Sequence, residues 1–116
     1  CHCAQCRQWS GHYVAATRVP AEQFELMTGA QELTWFTSSH DAERGFCSNC
    51  GASMFWRRTG SDSPAMISVM AGCIDAPSGL RIAKHIFVDD KTDYYCIEEG
   101  EAAQFGQADN TAAPTG

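Results

Sequence analysis

Seven residues, Cys1-His2-Cys3-Ala4-Gln5-Cys6-Arg7, place three thiols within six positions and follow them at once with a cation. Thiols crowded this closely point to a metal. Zinc holds thiolates at about 2.3 Å in tetrahedral geometry, and three protein ligands leave a fourth position for water or substrate. The Cys-x-x-Cys spacing of Cys3 and Cys6 suits a tight turn whose amides point at sulfur. The Cys-x-Cys spacing of Cys1 and Cys3 reaches the same ion from extended backbone. A second Cys-x-x-Cys, Cys47 and Cys50, lies in Phe46-Cys47-Ser48-Asn49-Cys50-Gly51 and ends in a glycine suited to a knuckle turn.

The rest of the chain is bounded by its size and charge. With 116 residues, 44% of them hydrophobic, one compact domain with one core is expected, burying roughly two thirds of the unfolded surface. No apolar run approaches the roughly 20 residues of a membrane span, and no series of basic, apolar and small residues reads as a signal peptide. The chain opens on cysteine rather than methionine, so the expectation is that it begins inside a longer gene product. Its formal charge is −6, from 14 acids against 8 bases. An acidic chain without a basic stripe is a poor partner for nucleic acid. Seven cysteines, an odd number with two clusters at metal spacing, fit a reducing cytoplasm better than a disulfide framework.

Along the chain, Gln8 to Gly11 reads as a turn or short helical start, and His12 to Val19 as a strand ended by Pro20. Ala21 to Gln23 reads as one helical turn. Short β-like runs follow at Phe24–Thr28, Leu33–Ser38, Arg44–Cys47 and Ser53–Arg58, then a loop at Gly60–Pro64. From Ala65 to Ala71 the residues alternate in strand fashion. Leu80–Ala83 and His85–Val88 read as short strands before a charged turn at Asp89–Asp93 and the pair Tyr94-Tyr95. Short strands at roughly 8–12 residue spacing predict a mainly β sandwich or small barrel-like sheet pinned by metal. The domain is expected over residues 1–103, and residues 104–116, poor in large apolar groups, are expected to be a disordered tail.

Each chemical signal has a plainer reading beside it. Cys1, Cys3 and Cys6 form an open three-thiolate site, or part of one four-cysteine structural zinc with Cys47 and Cys50, or a thiol redox pair. Cys47 and Cys50 read as a structural staple. Cys73 and Cys96 stand alone, where a cysteine is usually a small buried hydrophobe. His2, between two ligands on extended backbone, should point away from the metal. His12 and His85 line a pocket or are satisfied structural histidines. Arg7 compensates thiolate charge or holds a substrate carboxylate bidentately, and Arg57 and Arg58 are further candidates for the same work. Lys91, by sequence alone, is an exposed lysine.

The pattern resembles the glutathione-dependent formaldehyde-activating family. The residues that carry the resemblance are Cys1-His2-Cys3-Ala4-Gln5-Cys6-Arg7 with Ser10-Gly11, Gly45-Phe46-Cys47-Ser48-Asn49-Cys50-Gly51, Ala71-Gly72 before Asp75, and His85-Ile86-Phe87 with Lys91 and Tyr94-Tyr95. The resemblance implies a β-tent of short antiparallel strands with two zinc sites. Cys1, Cys3 and Cys6 would be the site associated with activity, and Cys47 and Cys50 half of a structural one. The other half is normally an upstream Cys-x-Cys pair, which this sequence does not contain. Arg7, His85 and Lys91 become the candidate substrate-binding residues. The implied activity is a zinc-dependent carbon–sulfur lyase joining glutathione, as thiol, to formaldehyde, as aldehyde. The alternatives are a zinc-stapled binding module without turnover and a thiol-redox enzyme similar to the methionine-R-sulfoxide reductases.

Overall fold

The computed structural model describes residues 1–60, 65–100 and 102–108, so the loop expected at Gly60–Pro64 falls largely outside the described residues. The described residues sort into two compact units, one of residues 1–15 and 75–108 and the other of residues 16–60 and 65–74.

The second unit is an antiparallel sheet. Its strands are β1 (Ala16–Pro20), β2 (Leu33–Ser39), β3 (Ala42–Cys47), β4 (Ser53–Arg58) and β5 (Met66–Met70), in the order β1-β5-β4-β3-β2. The mainly β, antiparallel reading is borne out here. Period-two alternation places directly opposed residues on one face. Trp35 opposes Gly45, Gly45 opposes Phe55, and Phe55 opposes Val69. Phe55 is 5% exposed and stacks on Trp35 with ring centroids 6.1 Å apart. Gly45 makes this packing possible, because a Cβ there would lie 3.1 Å from the Trp35 ring and 3.3 Å from Phe55 Cβ. The guanidinium of Arg57 covers the Trp35 ring at 3.7 Å and pairs with Glu43 at 3.3 Å. The register slips between Gly45 and Phe46, where β4 carries the extra residue, Met54, of a bulge beside the turn that holds Cys47.

Phe24 to Thr28 was expected to be strand-like and is not. Pro20 ends β1, residues 21–23 close one 3-10 turn, and Phe24 is fixed by its ring, which meets Phe55 edge-on at 5.1 Å. Beyond Phe24 the stretch is exposed, Met27 at 78%, so its residues have neither a ladder nor a core face.

In the first unit the single α-helix, α1 (Ala4–Ser10), starts earlier than Gln8. It ends where Gly11, at φ 85°, donates its N–H to Arg7 O, a left-handed cap that glycine adopts at little cost. The expected strand His12–Val19 is divided. Val14 exchanges backbone hydrogen bonds with Cys1, at 3.0 and 2.7 Å, and only from Ala16 does the chain enter the sheet. Leu80–Ala83 holds no strand. Instead β6 (Lys84–His85) pairs in parallel with β7 (Ala103–Gln104), and Val88–Asp90 forms a 3-10 turn. The ladder continues through Phe105 N to His85 O and Phe87 N to Gln107 O. Residues 104–107, placed by composition in a tail, thus take part in backbone pairing, while residues 109–116 lie outside the described residues.

Candidate metal centre

Cys1, Cys3 and Cys6 are brought together by an extended segment that turns into a helix. Cys3 is the N-cap of α1, and its Sγ accepts the N–H of Cys6 at 3.5 Å. The amide-to-sulfur contact expected of a tight turn is therefore made by a helix cap. Upstream, Cys1 is paired to Val14 and the His2 N–H donates to Ile86 O at 3.0 Å. Residue 2 is held from the side opposite to residue 1, so the side chains of Cys1 and Cys3 share a direction that His2 does not.

The three sulfurs lie within 4.8 Å of one another, the one group of three such donors found among the described residues. Around a tetrahedral zinc at 2.3 Å, sulfurs stand about 3.8 Å apart, so small side-chain rotations suffice. The donor set fits zinc: three soft thiolates with one position open.

His2 faces the other way, as expected, into a network of rings. It is wholly buried. Its Nδ1 meets the Tyr95 hydroxyl at 2.8 Å and its Nε2 meets His85 Nδ1 at 3.0 Å. Tyr13 packs on it with centroids 4.6 Å apart. Burial first, then surrounding positive charge, that of His85, His12 and Lys91 included, brings its pKa down to about 4. His85 is lowered by burial and the amino terminus. Burial pushes the Tyr95 phenol up. A second pair, His12 Nδ1 with the Tyr94 hydroxyl at 2.6 Å, is exposed.

The candidate substrate-binding residues all fall in this unit. Arg7 Nε donates to His2 O at 3.1 Å and its Nη2 to Asp90 O at 3.0 Å. Lys91 Nζ donates to Thr92 O at 2.8 Å and Tyr95 O at 2.6 Å, and lies 5.0 Å from the centre of the Tyr95 ring. Both cations thus tie loops together, whatever else they hold. Sequence reasoning named Tyr94-Tyr95 only as part of a family pattern. The chemistry of Tyr95, which it reaches through His2, had no local signal.

The second cysteine pair belongs to the other unit. Gly51, at φ 80°, turns the chain so that its N–H donates to Cys47 O at 2.7 Å, while Cys47 N donates to Ala52 O at 2.9 Å. The backbone N–H groups of Cys50 and then Asn49 bond to the Cys47 sulfur and hold its thiol below the usual range. This is the knuckle that the spacing predicted. Cys73 departs from expectation, being exposed, with its thiol donating to Ser53 O at 3.4 Å. Cys96 is exposed as well. Each follows or ends a turn instead of filling a strand interior.

A mainly antiparallel β chain with a capped three-thiol cluster and a zinc-type knuckle defines a small β protein equipped to hold a metal through cysteine. Compared with known proteins, residues 1–90 match the family model described as glutathione-dependent formaldehyde-activating enzyme. The chain belongs to that family. It is also 30% identical over 96 residues to a protein of Schizosaccharomyces pombe (strain 972 / ATCC 24843) named an uncharacterized lyase. That match covers 82% of this chain and 66% of the relative, so the chain spans just under two thirds of the relative's length.

Proposed function

We propose that this protein is a lyase that interconverts glutathione plus an aldehyde, formaldehyde the simplest, with the S-hydroxyalkyl adduct. The observation that carries the reading is the gathering of the Cys1, Cys3 and Cys6 sulfurs within 4.8 Å, inside a family match. Cys1, Cys3 and Cys6 would hold a zinc ion, which when bound would supply the lowered pKa that makes an incoming thiol a nucleophile at neutral pH. In the forward direction a sulfur–carbon bond forms, the carbonyl π bond breaks, and the thiol proton finishes on the new hydroxyl oxygen.

The chain's own residues supply the rest. His85 stands ready to carry the proton, because its lowered pKa leaves it neutral and able to donate or accept at neutral pH. Arg7 commits two of its five N–H donors to carbonyls and keeps others for a glutathione carboxylate. Lys91 keeps the 91–95 turn closed through Thr92 O and Tyr95 O.

The test is the rate of exchange between free and adducted formaldehyde in glutathione solution, followed by NMR, with zinc per chain measured in parallel. The native protein is expected to accelerate exchange, and Cys3→Ser to lose one zinc per chain and the acceleration together. Full zinc and full rate in Cys3→Ser would overturn the assignment.

A further inference from the structure

We propose that Tyr95 acts as a positioning residue, working through His2 to fix the tautomer of His85 so that the proton of His85 sits on Nε2. This rests on the reading of the site given above for its catalytic meaning, but the tautomer itself can be tested without any reaction.

Two ring nitrogens of the network face one another. His2 Nε2 and His85 Nδ1 are 3.0 Å apart, a hydrogen-bond distance, so one proton lies between them and belongs to one ring. If it is on His85 Nδ1, then His85 Nε2 is bare and the ring presents a base. If it is on His2 Nε2, then a neutral His85 must carry its own proton on Nε2 and presents an acid. The choice is passed along from the other side of His2, where Nδ1 meets the Tyr95 hydroxyl at 2.8 Å. A phenol that donates there leaves His2 Nδ1 as acceptor. The proton of His2 is then on Nε2, which donates to His85 Nδ1.

The surroundings of Tyr95 decide the direction. Among the described residues the hydroxyl's hydrogen-bond partner is His2 Nδ1; Tyr13 and Tyr94 meet Tyr95 through their rings, and the cations beside it, Arg7 and Lys91, have no lone pair to accept a hydroxyl hydrogen. Positive charge near the phenol also disfavours an N–H aimed at its oxygen. The buried lone pair of His2 Nδ1 is therefore the acceptor the hydroxyl uses. The order runs Tyr95 O–H to His2 Nδ1, then His2 Nε2–H to His85 Nδ1. His2 is wholly buried, its ring packs on Tyr13 with centroids 4.6 Å apart, and its two nitrogens have different partners, the Tyr95 hydroxyl and His85 Nδ1. In the forward reaction a proton on His85 Nε2 is the one that would pass to the aldehyde oxygen as the sulfur–carbon bond forms.

The chain has four histidines, so side-chain nitrogen spectra of the uniformly nitrogen-15-labelled, zinc-loaded protein resolve them one by one, with His85→Gln identifying the His85 signals. At pH 7.5 the native protein is expected to show His85 protonated on Nε2 and His2 also on Nε2. Tyr95→Phe keeps the ring and removes the hydroxyl, and is expected to shift the His85 tautomer ratio toward Nδ1–H by about fivefold, the size set by one neutral hydrogen bond. Zinc content should be unchanged. A native His85 carrying its proton on Nδ1 would overturn the proposal with no variant needed. So would a Tyr95→Phe spectrum in which the ratio stays as in the native protein. If the tautomer moves as expected while exchange of glutathione and formaldehyde is not accelerated even by the native protein, the failure lies with the proposed activity and not with the relay.

Discussion

Gly45→Ala is a single methyl whose consequence can be worked from the geometry. The added Cβ would lie 3.1 Å from Trp35 Cζ3 and 3.3 Å from both Leu33 Cδ1 and Phe55 Cβ, three contacts tighter than ordinary packing. Relief requires Trp35 to move, and Trp35 is held between Phe55 and the Arg57 guanidinium, itself tied to Glu43. Overpacking of this kind costs typically 1–3 kcal/mol. Against it stands the gain from replacing a strand glycine, about 0.5–1 kcal/mol through lost unfolded-state freedom. The net expectation is a loss of about 1–2 kcal/mol, or roughly 5–10 °C in melting temperature for a sheet of this size. The assay is reversible denaturant unfolding of Gly45→Ala, Trp35→Phe and the double variant. Removing the indole takes away the closest of the three contacts, so the two changes should cost less together than separately. A Gly45→Ala protein as stable as the native one, or simple additivity in the cycle, would refute the account of Gly45 as the space that Trp35 occupies.

Two further perturbations bear on the knuckle. Gly51→Ala meets no atom within 4 Å of its new Cβ, so its whole effect is the left-handed backbone at φ 80°; thermal melts should show a loss of about 1–2 kcal/mol, and a neutral result would mean the turn does not hold that conformation. In chelator-stripped protein, iodoacetamide followed by mass mapping at pH 7 should label Cys47 before Cys73. Backbone N–H groups from Cys50 and Asn49 lower the first thiol, whereas burial and then the neighbouring Cys50 raise the second, so the thiolate fraction is larger at Cys47. Labelling in the opposite order would count against the sulfur-directed amides.

What could be read from the chain alone was what is made locally. Cys3 and Cys6 are three apart, and the same three-residue reach that suggests a turn is the reach of a helix cap, so their sulfurs meet whichever of the two forms. Cys47 to Gly51 is equally local, and its knuckle appears as the spacing required. Strands β2 to β5 follow from alternation and turn residues. Two of the misreadings involve partners distant in sequence. Nothing in His12-Tyr13-Val14 says that Val14 pairs with Cys1 and leaves the strand to begin at Ala16. Nothing in the composition of residues 103–107 says that a parallel partner waits at Lys84–Phe87, because pairing satisfies backbone groups without large side chains. A lone cysteine is usually buried, but the 3-10 turn that ends at Cys73 leaves it exposed.

The same division between local and distant explains how the thiol cluster is held. A Cys-x-Cys segment on its own is an extended strand with no fixed direction for its sulfurs. Here backbone hydrogen bonds pin it from two sides, Val14 on Cys1 and Ile86 on His2, and the buried His2 ring fixes its roll through Tyr95 and His85. The cap at Cys3 then turns the chain so that Cys6 joins from the first turn of α1. Zinc fingers gain their fold from the metal because the apo chain has no such supports. In this protein residues 83 and 93 positions further along supply hydrogen bonds to the ring between Cys1 and Cys3. A substitution at His2 is therefore expected to disturb Cys1 and Cys3 on either side of it, since it removes the side chain through which residues 85 and 95 hold the loop.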